Sequence, residues 1–148
     1  MDKIPKMKLL KLISIILLLT SCNANAEVTI SNAWVRESAP SQKVGAAYMT
    51  FKSSEKSKLV YVEATSNAGS IEIHSMTMNN GIMKMRMLEE LTLEANKPQA
   101  LAPGGFHLMM FDLKKPLKAG ENVTFRLCFK DENGKITDQN ITVPVKGQ

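Results

Sequence analysis

The chain has 148 residues, 44% hydrophobic and 22% charged, with a formal charge of +5. That length accommodates one domain, and the composition excludes a chain that is disordered along most of its length. The charge gives no case for nucleic-acid binding: four lysines and one aspartate fall in the first 26 residues, and without them the balance drops to +2.

Those residues are the first element. Lys3, Lys6, Lys8 and Lys11 lead into the apolar run "LISIILLLT", and Ala24, Asn25 and Ala26 supply a small-x-small cleavage site. This is the pattern of a secretory signal over 1–26, followed by a domain over 27–148. The apolar run is short for a membrane-spanning helix. "LTSC" at Leu19 to Cys22 also reads as a lipoprotein box with Cys22 as the lipidated residue. Cleavage after Ala26 is preferred, because "EVTISNAWV" begins the domain at once. A membrane enters only if Cys22 is lipidated.

Strand patterns follow almost without interruption. "EVTISNAWV", "GAAYMTFKS", "KLVYVEAT" and "SIEIHSM" come first, then "GIMKMRMLE" after the turn signal Asn79-Asn80-Gly81. "LEELTLEANKPQALA" is read as holding at most a short helical turn, limited by Pro98 and Pro103. "FHLMMFDL", "NVTFRLCFK" and "KITDQNITVPV" complete the chain, the last two joined by a turn at Asp131 to Gly134. Such spacing fits an all-β sandwich or barrel of about seven strands. Trp34, Tyr48, Phe51, Tyr61, Phe106, Phe111, Phe125 and Phe129 are candidate core residues, not all of them inside.

After signal cleavage Cys128 is the only cysteine left, so no internal disulfide is expected. Alternation places it on the polar side of its strand, with Thr124, Arg126 and Lys130. It is read as an inert, partly covered thiol rather than a metal or redox group.

The stretch Ile71 to Met87 holds five methionines and one of the chain's two histidines. His74, Met76 and Met78 share one strand face, opposite Ile71 and Ile73. Met83, Met85 and Met87 share another, and because Lys84 and Arg86 oppose them they are read as pointing inward. His107 and Met109 share a face, with Phe106, Leu108 and Met110 opposite. Each histidine has a methionine two residues on, and the second pair follows the Pro103-Gly104-Gly105 turn. Imidazole and thioether together suit copper: thioethers favour Cu(I), and imidazole suits Cu(I) and Cu(II) alike. Zinc would draw on His, Cys or carboxylate instead. Methionine is also a common core filler, so at the level of residue pattern a copper site and plain packing both stand.

The set His74, Met85, His107 and Met109 spells H-x10-M-x21-H-x-M. With "NAWVRESAP", "AAYM", "EIHSM", "GIMKMR" and "PGGFHLMMFDLKKPLKAGE" around it, the domain resembles the PCu(A)C family of periplasmic copper chaperones. The resemblance implies a cupredoxin-like (immunoglobulin-like) Greek-key β-sandwich and a periplasmic location, with a lipoprotein facing the periplasm as the alternative. It implies one high-affinity Cu(I), with Cu(II) left open, held by His74, Met85, His107 and Met109. Met76, Met78, Met83, Met87 and Met110 are not required by the motif. Delivery would be to the copper-centre subunit of cytochrome c oxidase or to a thiol-bearing assembly protein. No catalytic residues are expected, since both histidines are committed to the metal, and the protein is read as a monomer. Two alternatives stay beside this reading: a periplasmic copper buffer, and a metal-free interaction module. A blue-copper electron carrier would need a Cys with two histidines, and Cys128 has no neighbouring His.

Overall fold

The computed structural model describes residues 25–147. The signal-peptide reading, apart from Asn25 and Ala26, and the lipidation reading at Cys22 lie outside the described residues. Ten strands follow in chain order: β1 Val28–Arg36, β2 Gly45–Ser53, β3 Ser57–Ala64, β4 Ser70–Asn79, β5 Ile82–Leu88, β6 Leu91–Leu93, β7 Gln99–Leu101, β8 His107–Phe111, β9 Asn122–Asp131 and β10 Ile136–Lys146. The hydrogen-bonded path runs β5-β4-β8-β2-β1-β10-β9-β3-β6, with β7 added to β2. Every pairing along it is antiparallel except β1 with β10, joined through Val35 and Val145. That parallel junction divides the path into the two layers of an all-β, cupredoxin-like sandwich.

The core lies between the layers. Val35, Ala47, Met49, Phe51, Ile73, Leu108 and Met110 come from one side, and Leu59, Phe125, Leu127, Phe129 and Val143 from the other. Phe51 and Phe129 meet edge to face at 5.7 Å, a favoured arrangement for two aromatic quadrupoles. Alternation along β2 sends Ala47, Met49 and Phe51 inward.

Two irregularities shift that alternation. In β1 two residues lie between Ser31 and Trp34 where β2 has one between Thr50 and Tyr48. The extra residue is accommodated by Asn32 at φ 51°, a left-handed conformation that Asn tolerates. Val28 therefore faces the core before the bulge and Val35 after it, and Trp34 and Arg36 are turned to the outer face. In β3 the bulge between Leu59 and Tyr61 turns Tyr61 out to solvent; its candidacy for the core is thereby corrected. The helical turn expected across "LEELTLEANKPQALA" is corrected as well. The segment forms β6 and β7, three residues each, because Leu91 and Leu93 pair with β3 and Leu101 pairs with Met49. These long-range partners override local propensity.

The turn at Asn79 to Ile82 is the expected two-residue hairpin. Asn80 and Gly81 both have positive φ, 51° and 77°, as a type I′ turn requires. It closes β4 onto β5, which forms one edge of the sheet.

Candidate metal centre

Directly opposed residues of an antiparallel pair share a face. Between β4 and β5, His74 opposes Met87, Met76 opposes Met85 and Met78 opposes Met83. Between β4 and β8, Glu72 opposes Met109 and His74 opposes His107. His74, Met85, His107 and Met109 thus lie on one outer face of three adjacent strands. The other face carries Ile73, Leu108 and Met110, all in the core.

The two histidines meet. Their ring centroids are 5.6 Å apart, and both residues are buried, at 8% and 4% exposure. Each is held by the residue two positions before it. His74 Nε2 lies 2.7 Å from Glu72 Oε2, and His107 Nδ1 lies 3.0 Å from the Gly105 carbonyl oxygen. An ionised carboxylate and a carbonyl only accept, so in the neutral rings the proton sits on Nε2 of His74 and on Nδ1 of His107. The free lone pairs are then Nδ1 of His74 and Nε2 of His107. His74 Nδ1 is buried and has no hydrogen-bond partner among the described residues. Leaving such an atom unsatisfied costs about 1–3 kcal/mol. Metal-bound imidazoles commonly donate their other N–H to a carboxylate or carbonyl, which is the arrangement of both rings here.

Beside the rings is a cavity of about 350 Å³, lined by His107, Met109, Met85, Met76 and Met83 with Ala46, Tyr48, Arg36, Pro103 and Gly104. Three of the four expected ligands line it, and His74 joins them through its ring contact with His107. Tyr48 forms a wall, stacked on Trp34 at 4.7 Å and capped by the Arg36 guanidinium 5.3 Å from its ring centroid. The β1 bulge is what brings Trp34 and Arg36 to this face.

The donors select the kind of ion. Among the described residues no group of three or more His, Cys, Asp or Glu comes together, and no carboxylate lines the cavity. Calcium and magnesium want oxygen ligands, and structural zinc wants Cys and His. Imidazoles with neutral thioethers fit a soft, low-charge cation.

One orientation differs from expectation. Met83, Met85 and Met87 do not point into the core; all three are exposed, Met85 at 47%. Alternation with Lys84 and Arg86 does separate two faces of β5, but no layer covers either face of this edge strand. The sequence did not mark Glu72, the Gly105 carbonyl, Tyr48 or Arg36 as parts of the site. Glu72 shares parity with His74 in "EIHSM" and was findable on that basis; the bulge hid Arg36.

Cys128 lies in the other layer, opposite Asp138 and Tyr61. It is buried, and burial first, then a hydrogen bond to Asp138, pushes its thiol up to about 11.

A family model described as LpqE-like, "Putative lipoprotein LpqE-like", matches residues 28–145. The putative lipoprotein Lxx21020 of Leifsonia xyli subsp. xyli is 33% identical over 121 residues, covering 80% of this chain and 69% of its own. Apo-DR1885 from Deinococcus radiodurans superposes with a TM-score of 0.59 at 33% identity, over 86% of this chain and 87% of that one. A structure of the same protein is described as CuI-DR1885, with a TM-score of 0.57 at 30% identity over 86% and 85%. The apo PCuAC domain of PmoF1 shares the fold, with a TM-score of 0.66 at 23% identity over 84% of this chain and 98% of that one.

Proposed function

The chain belongs to the LpqE-like family as a domain of the PCuAC type, and from that premise we propose that it binds and carries copper, one Cu(I) held by His74, Met85, His107 and Met109. The observation that carries this reading is the buried Nδ1 of His74, without a hydrogen-bond partner among the described residues, in a ring that touches His107 beside a thioether-lined cavity. The Cu(I) form of DR1885, a relative at 30% identity, supports it.

A carrier must hold its ion and still surrender it. The two imidazoles are fixed by Glu72 and Gly105 on central strands, whereas Met85 sits exposed on the edge strand. Met85 is the ligand to leave first. An incoming thiolate or imidazole takes its place, and copper passes over without becoming free. Arg36 in the cavity wall favours an anionic thiolate as the incoming group. Thioethers carry no proton near neutrality, so Met85 and Met109 stay available as donors in an acidic compartment.

The acceptor in this proposal is the copper centre of cytochrome c oxidase or a thiol-bearing assembly protein. Loss of oxidase assembly in a strain lacking this chain supports delivery; copper sensitivity with normal oxidase identifies a copper buffer instead. The lipoprotein descriptions of the matching family and of the Leifsonia relative favour a membrane-anchored form lipidated at Cys22 and facing the periplasm, over cleavage after Ala26. Labelling with a radioactive fatty acid, in wild type and in Cys22→Ala, tests that directly. The metal site itself is tested by His107→Ala with Met109→Ala, expected to abolish tight Cu(I) binding.

A further inference from the structure

The four-ligand set leaves Met76, Met78 and Met83 without a role. Met78 and Met83 are directly opposed, one pair in from the Asn79–Ile82 pair that closes the hairpin. They are 68% and 56% exposed, and neither belongs to the core. Packing therefore does not explain them, and exposed strand positions are better served by β-branched residues. Opposed residues have Cβ atoms about 4.5–5.5 Å apart. Three rotatable bonds in each side chain let two sulfurs close to roughly the 4.6 Å spanned by two metal–sulfur bonds of about 2.3 Å. Met76 is the next residue on the same face, and Met76 and Met83 both line the cavity beside Met85, Met109 and His107. Met83 thus belongs to the hairpin tip and to the cavity at once.

We propose that Met78 and Met83, completed by Met76, form a second and weaker soft-cation site at the hairpin tip, from which Cu(I) enters the cavity. This rests on the copper reading of the cavity. The step is ligand exchange alone: the bond from the ion to Met78 sulfur breaks as a bond to Met85 sulfur forms. The ion stays monovalent, and no proton or electron moves. The tip is the more exposed end of the methionine ladder, since both of its methionines face solvent whereas His74 is buried at the other end.

The test is a titration of the purified full chain with Ag(I), a redox-inert soft monovalent ion, followed by NMR of ¹³C-methyl methionine. In wild type the first equivalent shifts the Met85 and Met109 methyls, and the second shifts those of Met78 and Met83. Met78→Leu, which lies outside the cavity lining, keeps the first equivalent and weakens the second. His107→Ala weakens the first and keeps the second. A second equivalent that leaves the Met78 and Met83 methyls unmoved, or that binds as tightly in Met78→Leu, overturns the tip site while leaving the cavity site intact. A first equivalent that leaves Met85 and Met109 unmoved overturns the cavity reading instead, and the entry route with it.

Discussion

His74 and His107 are directly opposed across the β4–β8 pair, with their rings 5.6 Å apart and each held by an acceptor two residues earlier, Glu72 for one and the Gly105 carbonyl for the other. Two histidines 33 positions apart in the chain become one pair of donors through the register of two strands. The consequences are testable residue by residue.

Glu72 orients His74 and fixes its tautomer. Glu72→Ala removes the acceptor for Nε2–H, so either ring nitrogen is then free to carry the proton. The expected result is a fall in Cu(I) affinity of about 10–100-fold, read by competition with a chromogenic chelator, with little change in unfolding midpoint because Glu72 is not a core residue.

The methionines divide into two classes that look alike in sequence. Met110 is fully buried and Met85 is half exposed. Met110→Ala should cost about 2–5 kcal/mol of stability through the cavity it leaves, measured by urea unfolding. Met85→Leu conserves volume and should leave the unfolding curve nearly unchanged while lowering Cu(I) affinity. Equal stability losses in the two variants would contradict the division.

Cys128 should resist chemistry. With its thiol raised to about 11 by burial and the Asp138 hydrogen bond, the thiolate is scarce at neutral pH. Alkylation of the folded protein by iodoacetamide is expected to be much slower than in denaturant, and copper binding should be the same in Cys128→Ala.

Arg126 joins β3 and β10 through β9, donating to Glu63 at 3.0 Å and to Asp138 at 2.8 Å. Hydrogen bonds from Arg126, then Tyr61, hold the Glu63 carboxyl below its usual range. Those from the Cys128 thiol, then Arg126, do the same for Asp138. Depressed carboxylates stabilise the fold above their unfolded values, about 4, and that contribution is lost as pH falls through the lower folded values. Arg126→Met should therefore make the acid loss of stability shallower below about pH 4. The effect is small, since these groups are exposed, and is read as the slope of urea midpoint against pH.

Much of this was legible in the sequence. Alternation in "FHLMMFDL" already separated core from outer face, and the Asn-Gly turn gave the hairpin. The two His-x-Met pairs gave candidate donors. What failed was set by partners distant in the chain. Three-residue strands such as β6 and β7 carry too little pattern to announce themselves, and they exist because β3 and β2 offer open positions. Bulges at Asn32 and Val60 reverse parity, which moved Arg36 to the site and Tyr61 to solvent. The outward aim of Met83, Met85 and Met87 is set by their pairing with Met78, Met76 and His74 on the outer face, a register that "GIMKMRMLE" does not carry by itself.

The measurement that decides most is a Cu(I) titration of the purified protein against a strong competing chelator, with His107→Ala and Met109→Ala combined as the control. One tightly held equivalent in wild type, lost in the double variant, is the expected result. No competitive binding by wild type, or equal binding by both proteins, would contradict the site.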